Sequence, residues 1–137
     1  MTYYAVFDTN VLVSALLTKN PDAATARVVY EIASKKIIPL FSKEIFDEYD
    51  EVLHRDKFPF SEKRIEGILE VIRQFGILIE PTPTGIELPD EKDVVFYEVV
   101  MEKRENGAYL ITGNKKHFPE RRYIVSPSEM MDIIDRS

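Results

Sequence analysis

The alternation of short apolar runs with longer helical patterns is the feature that most restricts how this chain can fold. The short runs are rich in β-branched and aromatic residues, which favours strands, while the longer segments carry the apolar spacing of helices. Because the strands lack alternating polar residues, we expect a parallel sheet that is covered by helices on both faces. The predicted fold is therefore an α/β protein, a three-layer α/β/α sandwich around a central parallel sheet of five strands.

The predicted elements can be placed by residue number. Strands are expected at Tyr3–Phe7, Ile37–Phe41, Gly76–Glu80, Ala108–Thr112 and Arg122–Ser126, and helices at 10–18, 22–35, 43–54, 61–75, 91–105 and from Pro127 to about Ile134. The start of the last helix is marked by SPSE, in which a serine cap, a proline and a glutamate follow the capping-box pattern. The segment DVVFYEVVM has strand propensity, but the acidic residues before it and the basic residues and glycine after it favour a helix.

The 137 residues fit one domain, 1–137, since single cores usually run from roughly 50 to 200 residues. No apolar run reaches the roughly 20 residues of a membrane span, and Met1–Leu17 lacks the basic start and the cleavage site of a signal peptide. Because the sequence contains no cysteine, disulfides, thiolate metal sites and cysteine nucleophiles are excluded. We expect a cytoplasmic protein with no membrane partner. Its net charge of −6 argues against binding nucleic acid by bulk charge alone, but leaves room for local basic patches.

An acidic residue interrupts the first apolar segment, YYAVFDTNVLVSALL at Tyr3–Leu17. Asp8 directly follows the first predicted strand, and in open α/β sheets the carboxyl ends of the strands face the crevice where ligands bind. The alternative is that Asp8 or Thr9 only caps the helix that follows. At this point the sequence leaves both interpretations open.

A second polar break follows the fourth predicted strand, in AYLITGNKKHF. If the first and fourth strands are neighbours, Asp8 and Asn114 face each other across one cleft. Gly113 allows the backbone to turn sharply there or to approach a ligand closely. The alternative is an ordinary turn.

Two further acids can be placed by helical geometry. In SKEIFDEYDEVL the apolar stripe consists of Ile45, Phe46, Tyr49, Val52 and Leu53. Glu48 lies at the border of this stripe, and we prefer it to Glu44 and Asp50 as the acid that faces the crevice, with a solvated boundary position as the alternative. Asp93 lies in the first turn of its helix, where it either points into the crevice or serves the cap of Asp90.

Grouped carboxylates repel one another unless a cation lies among them. Oxygen ligands, with no cysteine and only two histidines in the chain, select hard ions such as Mg²⁺ or Mn²⁺. Such ions activate water and neutralise the charge that develops on a phosphate during hydrolysis. The acids therefore predict a divalent metal site at the mouth of the sheet. We interpret the two histidines, His54 and His117, as surface residues.

The order and spacing of four segments resemble the PIN domain family, in particular its bacterial toxin branch (VapC-like). The segments are VFDTNVLVSALL, SKEIFDEYDEVLHRDKF, LPDEKDVVFYEVV and AYLITGNKKHFP, and the resemblance extends over the whole chain. It implies the strand order 3-2-1-4-5 and a metal-dependent ribonuclease site at the carboxyl ends of the strands. It further implies an RNA substrate, whose backbone Lys115 and Lys116 are candidates to steer, and a protein antitoxin as partner. A homo-oligomer is compatible with it.

Carried over position by position, the catalytic and metal-binding acids of the family fall on Asp8, Glu48 and Asp93, and its fourth position falls on Asn114. The family more commonly has an aspartate at this fourth position. An amide oxygen still coordinates a metal but contributes no charge, so we expect one ion to bind and a second to need the substrate phosphate. In this role Asn114 completes the shell of the ion or orients a water.

Two other functions stay open. A PIN fold that binds RNA or a protein partner without cutting is compatible with Asn114 and the acidic surface. FDTNV followed by YLIT also resembles the first two motifs of haloacid-dehalogenase-type phosphatases, but that family needs a second acid where Asn10 stands and an acidic pair after the last strand. Neither GxxxxGK nor HExxH occurs, which removes the motif basis for a P-loop nucleotidase or a zincin.

Overall fold

A computed structural model describes residues 1–137, in which five short strands form one parallel sheet. The strands are β1 (Tyr3–Phe7), β2 (Ile37–Phe41), β3 (Ile77–Leu78), β4 (Tyr109–Ile111) and β5 (Ile124–Val125). Their order across the sheet is β3-β2-β1-β4-β5, and every neighbouring pair is parallel. The predicted fold class and strand order are confirmed.

Six helices pack against this sheet. They are α1 (Thr9–Leu17), α2 (Ala24–Ala33), α3 (Lys43–Leu53), α4 (Glu62–Phe75), α5 (Val94–Glu102) and α6 (Pro127–Arg136). Three short 3-10 helices lie at Glu91–Asp93, Arg104–Asn106 and Lys115–His117. No helix combines the length and the apolar character that a membrane span requires.

Local side-chain chemistry fixes the ends of several helices. Ser42 Oγ accepts a hydrogen bond from the Ile45 backbone N–H at 3.1 Å, which caps α3, and Ser126 forms the predicted capping box with Glu129 at the start of α6. The segment DVVFYEVVM is helical, as the flanking residues predict. Its strand propensity is overridden because the helical form buries Phe96, among others, in the core.

The two edge strands are shorter than predicted, with two residues each. β3 starts after Gly76 because this glycine ends α4, where its N–H donates to the Ile72 carbonyl at 2.9 Å. A Cβ at Gly76 would lie 2.4 Å from that carbonyl oxygen and 2.6 Å from the oxygen of Pro39. Only glycine fits this close crossing of helix end and strand, so the residue belongs to the helix end and not to the strand.

One cluster of 30 buried apolar residues forms the core. The middle strand β1 contributes Ala5, Val6 and Phe7, each at most 1% exposed, as expected for a strand with helices on both of its faces. The apolar run ends at Asp8, which is itself buried. The carboxyl end of β1 is therefore where a charged group enters the core.

Tyr49 connects α3 to this end of β1. Its side chain is buried, its ring packs against Phe96 with a centroid distance of 6.4 Å, and its hydroxyl donates a hydrogen bond to the Phe7 carbonyl. Tyr49 follows Glu48 in α3, and Phe7 precedes Asp8 in β1. This one hydrogen bond therefore helps to set the position of Glu48 relative to Asp8.

We expect Tyr49→Phe to lower the free energy of unfolding by about 1–3 kcal/mol, because it keeps the buried ring and leaves the Phe7 carbonyl without this donor. Urea unfolding followed by circular dichroism measures the change. The matched control is Tyr30→Phe, since Tyr30 lies on α2 with 69% of its surface exposed, and its free energy of unfolding should change by less than about 0.5 kcal/mol. Equal changes in the two variants would show that the Tyr49 hydroxyl does not hold α3 to β1.

Candidate active site

Asp8 is buried at the carboxyl end of β1, with 7% of its surface exposed. It stands at the N-cap position of α1, but its side chain makes no capping hydrogen bond. Asp8 Oδ2 instead accepts a hydrogen bond from Thr112 Oγ1 at 2.7 Å and a longer one from Asn10 Nδ2 at 3.4 Å. The carboxylate is thus held most closely by the end of β4, and its contact with α1 is to the Asn10 side chain and is not a helix cap.

The two polar breaks of the sequence are hydrogen-bonded to each other. Thr112 is fully buried, and its Oγ1 donates to Asp8 while it accepts a hydrogen bond from the Asn114 N–H at 3.0 Å. Asn10 Oδ1 accepts a hydrogen bond from the Gly113 N–H at 3.1 Å, and a Cβ at Gly113 would lie only 3.2 Å from that oxygen. The loops that follow β1 and β4 therefore form one polar surface.

Glu48 is the acid of α3 that faces this surface. It is half-buried, and Glu48 Oε2 accepts a hydrogen bond from the Thr9 hydroxyl. The other acids toward the middle and end of α3 form ion pairs near solvent: Asp47 with Lys43, Asp50 with His54, and Glu51 with Arg55. Glu48 alone among these acids has a neutral hydroxyl as its partner.

Asp93 is the third acid at this end of the sheet. It occupies the N-cap position of α5 without making a capping hydrogen bond, whereas Asp90 caps the preceding 3-10 helix by accepting a bond from the Lys92 N–H. Asp93 Oδ2 is buried and has no hydrogen-bond partner, although His117 Nδ1 lies 3.2 Å away. His117 is therefore in electrostatic contact with Asp93 and partly offsets the rise in the pKa of this carboxyl group.

Asn114 lies beside these groups, but its side chain faces His117. Asn114 Nδ2 is 2.9 Å from His117 Nε2, and Nδ1 of the same ring lies 3.2 Å from Asp93 Oδ2. His117 is thus partly exposed, as interpreted from the sequence, yet it connects the fourth position of the site to the third acid.

The pKa values of Asp8, Glu48 and Asp93 are all raised. Burial is the largest cause in each case. Hydrogen bonds from Thr112 to Asp8 and from Thr9 to Glu48 lower the two pKa values in part, while charge repulsion raises them: Asp93 acts on Asp8, and Asp8 acts on Glu48. The three carboxyl groups are therefore close enough for their charges to repel, and a cation bound among them would reduce this repulsion.

The donor set fits a hard divalent cation by its chemistry. Asp8, Glu48 and Asp93 supply carboxylate oxygens, one of them buried without a hydrogen bond, and Asn114 supplies an amide oxygen. No group of three or more histidine, aspartate or glutamate side chains has the closed arrangement of a metal site. Glu48 is bonded to Thr9 and Asp93 faces His117, so a bound ion would compete with these contacts.

An open cleft of about 730 Å³ extends from Glu48 and Asp93 along α3 and the 3-10 helix Glu91–Asp93. We call it the acidic cleft. Its acids are Glu44, Asp47, Glu48, Glu51, Asp90, Glu91 and Asp93, and its two basic residues are Arg55 and Lys92. This side of the site is strongly negative.

The two lysines behind Asn114 have different environments. Lys115 Nζ forms an ion pair with Glu129 Oε1 at 2.8 Å, so its charge is compensated at the start of α6. Lys116 is exposed and forms no ion pair. Of the two candidates for steering an anionic substrate, Lys116 has the free charge.

Thr9, Thr112 and His117 are site residues that sequence reasoning did not single out as such. From the sequence alone, Thr9 is a candidate helix cap, Thr112 begins the second polar break at the end of a strand, and His117 is a surface residue. A signal exists for the threonines, because each is adjacent to one polar break of the sequence. No comparable signal exists for His117, whose contact with Asp93 joins residues far apart in the chain.

Comparison with known proteins gives two matches. The model of the PIN domain family matches residues 4–116, a range that includes all three acids and Asn114. The crystal structure of PAE2754 from Pyrobaculum aerophilum is similar with a TM-score of 0.60 and 12% sequence identity, over 99% of this chain and 91% of that chain. This likeness concerns the fold. No curated protein matches the chain significantly.

We expect Asp8→Asn to leave the metal-free protein as stable as the wild type or more stable, because it removes a buried charge that Asp93 repels. Each unit by which the pKa of Asp8 is raised corresponds to about 1.4 kcal/mol. In the wild type, Mn²⁺ at about 100 times its dissociation constant should add roughly 2.7 kcal/mol, and the variant should lose most of this gain. Melting curves in EDTA and in Mn²⁺ measure both effects, with Asp47→Asn as the control for an exposed acid of α3.

The difference in stability between metal-free Asp8→Asn and metal-free wild type should depend on pH. Because the folded state raises the pKa of Asp8, the metal-free wild type binds this proton more tightly when folded, and stability is lost as the pH rises from near 3.8 through the folded pKa. The difference between Asp8→Asn and wild type should grow over this window and stay constant above it. A loss of about 1 kcal/mol or more in the metal-free variant, with a full response to Mn²⁺, would instead support a capping role for Asp8.

Proposed function

The chain belongs to the PIN domain family, and from this premise we propose that it is a metal-dependent endoribonuclease that hydrolyses phosphodiester bonds of RNA. PIN domains are generally nucleases. The proposal further identifies the chain as the toxin of a toxin–antitoxin pair, acting in the cytoplasm. The likeness of its motifs to the bacterial toxin branch supports this finer assignment.

The observation that carries the proposal is the convergence of three carboxyl groups with raised pKa values at one end of the sheet. Asp8 and Asp93 stand at N-cap positions without capping their helices, and Glu48 is the acid of α3 turned toward them. A chain that used these acids only for helix capping or for solubility would not bury them beside one another. Perturbed acids that cluster in this way are typical of functional sites.

In this proposal Asp8, Glu48 and Asp93 hold one Mg²⁺ or Mn²⁺ ion. When bound, the ion supplies a Lewis acid that polarises a phosphate oxygen and lowers the pKa of water. Thr112 holds one oxygen of Asp8 and Thr9 holds one oxygen of Glu48, so each hydroxyl limits the orientation of a ligand. Their role is to keep the acids in place while the phosphodiester is positioned.

Asn114 completes the site without adding charge. We propose that the chain itself holds one ion and that a second binds only together with the substrate phosphate. The contact between Asn114 and His117 supports a positioning role, because the same ring faces Asp93. The partners of the proposal are an RNA substrate and a protein antitoxin, and a homo-oligomer is compatible with both.

We expect the purified protein to cleave structured RNA in Mg²⁺ or Mn²⁺ and not in EDTA. Asp8→Asn and Asp93→Asn should each reduce the cleavage rate by about 100-fold or more, because each removes a charged ligand that acts during hydrolysis. Asp47→Asn should keep the wild-type rate, and a loss of cleavage in identically purified Asp8→Asn excludes a contaminating nuclease. Cleavage that survives in Asp8→Asn would contradict the proposed site.

A separate prediction concerns the fourth position. Asn114→Asp should raise the affinity for Mn²⁺ by about tenfold, since a fourth negative charge strengthens the attraction in a partly buried site. Titration calorimetry measures the change, and Asn106→Asp is the control because Asn106 precedes β4, at the opposite end of the sheet. Unchanged or weaker binding in Asn114→Asp would mean that residue 114 does not act at the metal.

One alternative function has an observation in its favour. The amide at position 114 and the absence of a closed ligand cluster favour a PIN fold that binds RNA or a partner without cutting it. The cleavage assay separates the two functions, because a binder retains RNA and leaves it intact in Mn²⁺. A phosphatase of the haloacid-dehalogenase type gains no support, since Asn10 stands at its second acidic position and bonds the Gly113 N–H.

A further inference from the structure

A second cleft, of about 490 Å³, opens between the 3-10 helix Lys115–His117, the loop 118–122 and the start of α6. We call it the basic cleft. Its charged residues are Lys115, Lys116, Arg121 and Arg122, against Glu120 and Glu129. It is a local exception in a chain whose net charge is −6.

The ion pairs of the structure identify the free charges of the basic cleft. Glu129 is already paired within the cleft, because Glu129 Oε1 lies 2.8 Å from Lys115 Nζ and also accepts a hydrogen bond from the Ser126 N–H at 2.8 Å. Accordingly, the pKa of Glu129 is lowered, chiefly by its bond from Lys115. Arg121 donates to a backbone carbonyl and not to a carboxylate. Lys116, Arg121 and Arg122 therefore keep their charges available, with one unpaired acid, Glu120, beside them.

The basic cleft adjoins the candidate active site through one turn of helix. His117 is the last residue of the 3-10 helix and faces Asp93, whereas Lys115 and Lys116 of the same turn line the cleft. On the α3 side of Asp93 lies the acidic cleft, where acids outnumber bases seven to two. The surface charge thus changes sign across the site, and a polyanion is attracted to one side and repelled from the other.

We propose that single-stranded RNA reaches the active site through the basic cleft, with its phosphates contacted by Lys116, Arg121 and Arg122, and that it does not follow the acidic cleft. The inference rests on the proposed function and adds the path of the substrate to it. The volume is that of a pocket for a small ligand, which suits part of a single strand. Lys115 acts differently from Lys116, because its pair with Glu129 supports the wall of the cleft.

The chemistry of the cleft also predicts how the RNA is recognised. Phe118 is the one aromatic residue that lines it, and this side chain is buried, so the cleft offers no exposed ring on which a base could stack. Arginine and lysine contacts to phosphates position a strand but carry no sequence information. Binding through the basic cleft should therefore be independent of sequence and strongly dependent on salt.

The test is the binding of a fluorescent single-stranded oligonucleotide to the full chain in EDTA, with gel analysis to verify that the RNA stays intact. The cleft variant combines Lys116→Gln, Arg121→Gln and Arg122→Gln. The control variant combines Lys35→Gln, Lys103→Gln and Arg136→Gln. It changes the net charge equally, but its residues lie just before β2, at the end of α5 and at the end of α6. Thermal melting verifies that both variants are folded.

We expect the cleft variant to bind RNA about 10- to 100-fold more weakly at 0.1 M salt, and the slope of log K against log salt to fall by roughly 2, from three lost single-strand phosphate contacts. The control variant should keep the wild-type slope. Equal losses in both variants, or none in either, would overturn the inference and leave the cleavage result untouched. If the wild type binds RNA through the cleft but does not cut it in Mn²⁺, the inference stands and the nuclease proposal fails. If the wild type binds no RNA, the inference is wrong.

Discussion

The burial of the Asp8 carboxylate at the end of the middle strand is the constraint around which this end of the molecule is built. A carboxylate that leaves water without a cationic partner is costly, and here its near neighbours are the neutral donors Thr112 and Asn10. The position is not maintained for a helix cap, since Asp8 makes none. The surrounding core must offset the free-energy cost of burying the Asp8 carboxylate. The reason to keep the carboxylate there is then the ligand that it binds.

The parallel sheet brings residues that are distant in the sequence together in one site. β1 lies between β2 and β4, so the loop after β4 meets the loop after β1, and α3, which follows β2, crosses beside both. Tyr49 links α3 to the Phe7 carbonyl, one residue away from each of two acids. The packing of the core therefore determines the positions of the site residues. A loosely packed core would displace Glu48 even while the protein stayed folded.

The sequence predicts the order and type of the helices and strands well because these depend on local periodicity. The spacing of about 100° per residue places Glu48 at the edge of the apolar stripe of α3, and the structure turns it toward Thr9. The lengths of the edge strands are not predictable in this way, since they depend on pairing with a single neighbour. The same holds for His117 beside Asp93 and for Lys115 beside Glu129, because these contacts join side chains that only the tertiary fold brings together.

The net charge of −6 and the proposed RNA substrate are compatible once the range of electrostatic forces is considered. At physiological ionic strength the Debye length is about 8 Å, so charges farther away contribute little to an approaching phosphate. The phosphate therefore interacts mainly with the local surface, which is basic around Lys116, Arg121 and Arg122 and acidic along α3. The acids of the site would repel the same phosphate without a cation among them. Attraction by the basic cleft and neutralisation of the acids are thus separate requirements: the cleft alone is sufficient to bind RNA, whereas cleavage needs both.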